Sequence, residues 1–214
     1  MKIILFVVFV LFCLNPHAET LKVAVLDTGF NMENKSKDLK LCKSGHRDFT
    51  GTGLQDSNGH GTNVVGLISK GLSSVDYCIV VIKIYSDKGS LDASINALTY
   101  VNSLDVKIVN MSYGGIGFSH AESVEIKKLL DKDVDLVVAS GNFAMNFDIS
   151  CNFYPACYDK RLTVVGNKNY KSNYGKIVDL IIDGNNKEAL GISLSGSSQS
   201  TAIHTNKLIV KYGK

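Results

Sequence analysis

The chain has 214 residues, of which 45% are hydrophobic and 20% charged, and its formal net charge is +3. This length and composition suit one globular domain with a substantial core. Because the charge is small and Lys and Arg are spread along the sequence, we exclude nucleic acid and anionic membrane surfaces as partners.

Residues 1–18 are predicted to be a secretory signal peptide. Lys2 gives the segment a positive start, residues 3–14 form an uninterrupted apolar run of twelve, and Ala18 suits the last position before cleavage. The run is shorter than the ~20 residues that a bilayer-spanning helix needs. We therefore expect residues 19–214 to form a single domain that is secreted or periplasmic, free of a membrane anchor and monomeric.

Buried strands alternate with helices through the rest of the chain. Short runs rich in Val and Ile predict strands over residues 22–26, 79–84, 107–110, 135–139, 162–165 and 178–182. Apolar residues at helical spacing predict helices over residues 91–101 and 122–130. This alternation is typical of an α/β fold with a mostly parallel central sheet covered by helices on both faces.

Four cysteines remain after the leader: Cys42, Cys78, Cys151 and Cys157. An even number in an exported chain indicates disulfides, for which three pairings exist. Cys151 and Cys157 enclose only five residues, which favours a local bridge and leaves Cys42 for Cys78 by elimination. A zinc site is the alternative, but the sequence has no Cys-x-x-Cys and no His pair at ligand spacing.

Three polar residues far apart in the chain belong together chemically. Asp27 ends an apolar run, His60 lies between glycines where a helix is predicted to begin, and Ser198 begins another predicted helix. A serine hydroxyl is a weak nucleophile at neutral pH and needs a histidine to accept its proton. That histidine needs a carboxylate to hold its tautomer and stabilise its cation. Because Asp, His, Ser is a recurring order for such a triad, the sequence predicts nucleophilic catalysis by serine.

The predicted sheet supports the same grouping. Ligands of parallel sheets bind beyond the carboxyl ends of the strands. Asp27, residues 112–114 and Asn142 each follow a predicted strand directly, so we expect them at one edge of the sheet.

The segments around these residues resemble the subtilisin-like serine proteases, or subtilases. The resemblance covers about residues 21–210 and rests on segments that come in the order of that family: residues 23–29, 59–62, 110–115, 139–142, 154–156, 163–166, 172–175, 178–180 and 196–201. It implies a subtilisin-like fold and a serine endopeptidase that hydrolyses polypeptide substrates through an acyl-enzyme.

The resemblance also implies the role of each site residue. It makes Asp27, His60 and Ser198 the triad, and Asn142 the side-chain donor to the oxyanion. It makes two short segments the walls of the substrate cleft: Ser112, Tyr113 and Gly114 on one side, and Ala139, Ser140 and Gly141 on the other. An extended peptide would pair with both backbones as an added strand. Small residues near Gly141 leave room for a substrate side chain, and the family commonly prefers a large apolar one.

Three positions depart from the family pattern. Asn63 stands where many members have a second histidine, Gln199 where many have methionine, and Ala202 where proline usually follows. About eight residues separate the leader from Asp27, so no inhibitory propeptide fits there. We therefore expect unaided folding, a separate folding partner or inhibitor, or delayed activation.

Two other functions stay open at this point. An inactive pseudoprotease that binds peptides without hydrolysing them is the first alternative. A homodimeric aspartic protease built on Asp27-Thr28-Gly29 is weaker, because that class is mostly β and would leave His60 and Ser198 without a role. No carboxylate-rich loop specifies a calcium site, so no metal or other cofactor is expected.

Overall fold

The computed structural model describes residues 20–86, 90–169 and 171–213, and the predicted leader lies outside them. In chain order the elements are β1 (Leu21–Asp27), β2 (Arg47–Asp48), α1 (His60–Ser69), β3 (Tyr77–Lys83), α2 (Leu91–Val101), β4 (Ile108–Met111), β5 (Gly115–Ile116), α3 (His120–Leu130), β6 (Asp135–Ala139), β7 (Phe153–Tyr154), β8 (Thr163–Asn167), β9 (Leu180–Ile182), β10 (Lys187–Ala189), β11 (Ile192–Leu194) and α4 (Ser197–Tyr212).

Seven strands form one parallel sheet in the order β2-β3-β1-β4-β6-β8-β9. Six of them are the strands that the apolar runs predicted, so the α/β class is confirmed. The seventh, β2, is the polar pair Arg47–Asp48 at the edge of the sheet, which no apolar pattern could reveal. Two antiparallel pairs, β5 with β7 and β10 with β11, lie outside the sheet.

Both faces of the sheet are buried, which explains why its strands are continuously apolar. Successive residues of β1 show how the side chains are divided between the two faces. Ala24 and Leu26 pack in the layer that contains α2 and α3, whereas Val23 and Val25 pack in the layer that contains α1 and α4. Side chains alternate between the faces of a strand, so a strand between two helical layers is mostly apolar along its whole length.

Two disulfides cross-link the domain, one between a loop and β3 and the other within a loop. Cys42 is joined to Cys78, and Cys151 to Cys157, which is the pairing that the spacing favoured. Such bridges stabilise a small domain mainly by restricting its unfolded chain. Over the described ranges, no helix is both long and apolar enough to cross a bilayer.

Candidate active site

The sheet order brings three strand ends together. Because β4 pairs with both β1 and β6, the carboxyl ends of these strands are neighbours. Asp27 is the last residue of β1, and Ser112 and Ser140 directly follow β4 and β6. The predicted grouping of polar residues at one edge of the sheet is therefore a feature of the fold.

Asp27 and His60 are joined by a hydrogen bond of 2.7 Å between Oδ1 and Nδ1. The same carboxylate oxygen accepts the backbone N–H of Thr28 at 2.7 Å. Asp27 is 3% exposed, and its Oδ2 is buried without a donor among the described residues. A carboxylate can only accept from Nδ1, so this bond makes Nε2, on the far side of a ring that is 28% exposed, the proton-accepting nitrogen.

The carboxylate also changes the acidity of the imidazole. Burial by itself would lower the pKa of His60, but the charge of Asp27 and its hydrogen bond outweigh this effect, with a smaller contribution from Asp56. The pKa of His60 therefore lies above its usual 6.5. This makes the imidazole a stronger base than an isolated histidine.

A glycine beside His60 allows the close contact with β1. The N–H of Gly61 donates to Thr28 Oγ1 at 2.8 Å. A Cβ atom at Gly61 would lie 2.3 Å from the carbonyl oxygen of Gly29, far inside van der Waals contact. Glycine is required here by the approach of two backbones, as its position beside the histidine suggested.

Asp56, which was not among the predicted site residues, holds the loop that leads into α1. Its Oδ1 accepts from Thr28 Oγ1 and Gly59 N, both at 2.9 Å, and its Oδ2 accepts from Thr62 N and Oγ1 at 2.9 and 2.7 Å. Burial would raise the pKa of Asp56, but these hydrogen bonds outweigh burial and lower it. The sequence did contain a signal for Asp56, an aspartate three residues before a glycine at the start of a helix. Asp side chains in such turns accept hydrogen bonds from nearby backbone N–H groups.

Ser198 is the second residue of α4 and is 8% exposed. Its hydroxyl donates to the carbonyl oxygen of Ser112 at 2.9 Å, and Ser112 Oγ donates back to the Ser198 carbonyl at 3.1 Å. In the part of the chain that the structure describes, Ser198 Oγ makes no hydrogen bond to His60. The Asp27 carboxylate is therefore bonded to the His60 imidazole, whereas the Ser198 hydroxyl points towards Ser112, in a predicted wall of the cleft. Rotation about Cα–Cβ moves a serine hydroxyl between three staggered positions.

Two of the three departures from the family pattern contact each other. Gln199 Nε2 donates to Asn63 Oδ1 at 3.1 Å. The Asn63 amide nitrogen in turn donates to the carbonyls of Lys187 and Ile192, at 3.0 and 2.7 Å. This bridge ties α1, one turn after His60, to α4, one residue after Ser198. It therefore ties together the two helices that carry His60 and Ser198.

Asn142 and the start of α4 present two hydrogen-bond donors. Asn142 Oδ1 accepts the backbone N–H of Ser197 at 2.9 Å, which orients the amide group. Neither Asn142 Nδ2 nor the Ser198 N–H has an acceptor among the described residues. The positive end of the α4 dipole lies at the same place. Together they form a site that would stabilise negative charge on an oxygen next to Ser198.

The two segments predicted to be the walls of the cleft are held in place by different hydrogen bonds. Tyr113 Oη bonds to Ser94 Oγ at 2.8 Å, and Ser94 donates to Glu122 at 2.6 Å. Burial, followed by the charge of Glu122, raises the pKa of Tyr113 well above 10, so its hydroxyl stays neutral. On the other wall, Asn173 donates to the Ser140 carbonyl at 2.7 Å. No motif marked Ser94 or Glu122, because each acts through its position on a helix behind the wall.

An open pocket of about 310 Å³ adjoins the first wall, lined by residues that include Tyr85, Leu91, Tyr113, Ile116 and Glu122. Gly114 and Gly115 also line it, so the pocket is continuous with the backbone of the first wall. Within the described ranges, no three His, Cys, Asp or Glu residues are grouped to hold a metal ion.

Comparison of the sequence with known proteins points to one family of serine proteases. The family model "Subtilase family" matches residues 18–213. An intracellular serine protease of Paenibacillus polymyxa is 31% identical over 185 residues, which cover 76% of this chain and 56% of the relative. An extracellular serine proteinase of Thermus sp. (strain Rt41A) is 30% identical over 192 residues, covering 85% of this chain and 45% of the relative.

Solved structures agree with the fold. The crystal structure of a cold adapted subtilisin-like serine proteinase aligns with a TM-score of 0.77 at 26% identity, covering 89% of this chain and 74% of that one. A lanthipeptide protease aligns with a TM-score of 0.79 at 15% identity, covering 91% of this chain and 74% of that one, a likeness of fold alone. The chain spans about half the length of the curated relatives it matches.

Proposed function

Because the chain belongs to the subtilase family, we propose that it is a serine endopeptidase that cleaves polypeptides through an acyl-enzyme on Ser198. The observation that carries the proposal is the 2.7 Å hydrogen bond between Asp27 and His60 at the carboxyl edge of the sheet. Ser198 lies in the first turn of α4, the helix that the Asn63–Gln199 hydrogen bond ties to the helix carrying His60. A carboxylate-oriented imidazole next to a serine at a helix start is the arrangement that acyl transfer requires.

In the proposed reaction, the Ser198 hydroxyl turns from the Ser112 carbonyl towards His60 Nε2. Oγ attacks the carbonyl carbon of the scissile peptide bond while its proton passes to Nε2, and Asp27 stabilises the imidazolium. The oxyanion accepts hydrogen bonds from Asn142 Nδ2 and the Ser198 N–H. His60 then gives the proton to the leaving amine, and a water molecule releases the acyl group by the same route.

An extended segment of the substrate would lie between the two walls, pairing with the backbones of residues 112–114 and 139–141. The 310 Å³ pocket beside Tyr113 could hold one of its side chains. We also propose export, on the basis of the leader at residues 1–18. Similar proteases include both intracellular and extracellular members, so the leader is what supports this part of the proposal.

The two alternatives have less support. A pseudoprotease needs no base, but the His60 imidazole is bound and made more basic by Asp27. An aspartic protease would share a proton between two carboxylates, whereas the partner of Asp27 in this α/β fold is an imidazole.

The pH dependence of the reaction follows from the raised pKa of His60. Only the neutral imidazole can accept the serine proton, so kcat/KM should rise with pH and level off above the His60 pKa. We expect the half-maximal point of this rise to lie above pH 6.5. Initial rates on a peptide substrate, measured from pH 5 to 9, check this. A midpoint well below 6.5 would mean that Asp27 does not act on His60 in solution.

Labelling with a fluorophosphonate tests the nucleophile directly. The mature protein, with its disulfides intact, should react, and mass spectrometry of its peptides should find the adduct on Ser198. Ser197 and Ser200 lie in the same peptide and serve as internal controls. An adduct on Ser197 would show that the nucleophile is misassigned, and an unlabelled protein that hydrolyses no peptide would refute the proposal.

A further inference from the structure

A phenylalanine ring lies between the two walls of the cleft. Phe153, the first residue of β7, is 3% exposed. A Cβ atom built on Gly114 would lie 2.4 Å from Phe153 Cε1, and one built on Gly141 would lie 2.8 Å from the same atom. The edge of one ring therefore touches the backbone of both walls, which is possible only because both wall residues are glycines.

The ring is held in this place by its surroundings. Phe153 pairs with Ile116, and Tyr154 with Gly115, so β7 is fixed to the strand that continues the first wall. The Phe153 carbonyl accepts the N–H of Cys157 at 3.0 Å, inside the loop that the Cys151–Cys157 disulfide closes. Phe143 packs against the ring with the centroids 5.8 Å apart. Because the backbone of β7 is paired and the Phe153 ring packs against Phe143 and both glycines, the ring cannot be displaced without moving β7.

The position of the ring determines the space left for a substrate. The small residues of the second wall suggested room for a substrate side chain, and the family commonly prefers a large one, but the Phe153 ring lies against Gly114 and Gly141 and takes up space between the walls. We propose that Phe153 limits the main specificity pocket, so that the substrate residue supplying the scissile carbonyl must be small: glycine, alanine or serine. This inference rests on the proposed endopeptidase function and names its substrate class.

The selectivity for small substrate residues should be large, because the pocket has too little volume for a large side chain. A close-packed site cannot accept several extra carbon atoms without displacing neighbours. One methylene in an apolar pocket already changes kcat/KM by about 10–200-fold. A substrate with phenylalanine before the scissile bond should therefore be cleaved at least about 100-fold less efficiently than its alanine counterpart.

A set of peptides that differ only in the residue before the scissile bond tests the proposal. Wild type should prefer glycine, alanine or serine there, and Phe153→Ala should raise kcat/KM for the phenylalanine peptide about 100-fold. Phe147→Ala is the matched control. Phe147 is another buried core phenylalanine, but it packs beside Gly175, and the atoms nearest to Gly114 and Gly141 belong to other residues, so its loss should leave the preference unchanged.

The possible outcomes distinguish this inference from the proposed endopeptidase function on which it rests. A wild-type preference for phenylalanine or leucine would overturn the role of Phe153 and leave the endopeptidase assignment intact. A wild-type protein that cleaves none of the peptides would overturn both. Should Phe153→Ala fail to fold, the wild-type preference still decides, and Phe153→Val offers a smaller cavity with the same expected direction.

Discussion

Replacing Ser198 by alanine should lower kcat by about 10⁶-fold while leaving the protein folded, a size of loss taken from a bacterial subtilisin. The substitution removes the oxygen that would form the acyl-enzyme, and no neighbouring group replaces it. Structurally it removes one hydrogen bond, to the Ser112 carbonyl, whose loss costs about 1 kcal/mol of stability. Initial rates and thermal unfolding of the purified variant measure the two effects separately.

Two other serines of α4 serve as controls. Ser200 is fully buried two residues further on, and its hydroxyl donates to the Ile182 carbonyl at 2.8 Å, away from His60. Ser200→Ala should keep kcat within about tenfold, because the loss of one hydrogen bond does not touch the reacting groups. Ser197 Oγ accepts the N–H of Gly141 at 3.1 Å, a structural role. Full activity in Ser198→Ala combined with none in Ser197→Ala would move the nucleophile by one residue.

Asparagine at position 27 should lower kcat by about 10⁴-fold, the second largest effect that we expect. In the native site Asp27 Oδ1 accepts from both Thr28 and His60, whereas Oδ2 has no donor among the described residues. The asparagine oxygen can therefore keep both hydrogen bonds, with its NH₂ group in the unpartnered position. What is lost is the negative charge that stabilises the imidazolium.

The same substitution should also move the pH profile. The charge of Asp27 is the largest of the causes that raise the pKa of His60, so without it burial weighs more and the pKa falls. The half-maximal point of kcat/KM should therefore shift to lower pH in Asp27→Asn. Asp183→Asn is the control, since Asp183 is an exposed carboxylate paired with Lys187. A loss below tenfold with an unshifted profile would show that Asp27 does not support the base.

Local patterns in the sequence were sufficient for the main architecture. A strand buried on both faces is mostly apolar along its length, so β1, β3, β4, β6 and β8 were visible as runs rich in Val and Ile. The helix over residues 91–101 was predicted with the bounds that α2 has. The family, too, was recognisable, because short segments such as Gly59-His60-Gly61-Thr62 keep their chemistry within a few consecutive residues. Short polar elements such as β2 and β10 were missed, since two or three residues carry no periodicity.

The fold class could be read from the sequence, as could the residues proposed for the chemistry, because hydrophobic periodicity and short motifs are properties of neighbouring residues. How those residues meet is a property of the tertiary structure. Asn63 and Gln199 looked like separate departures, yet they are bonded across 136 positions of the chain. The Ser198 hydroxyl faces the Ser112 carbonyl, and Phe153 lies between two glycines from different strands. Rotamers and contacts of this kind depend on which distant groups packing brings together, and no local pattern encodes that.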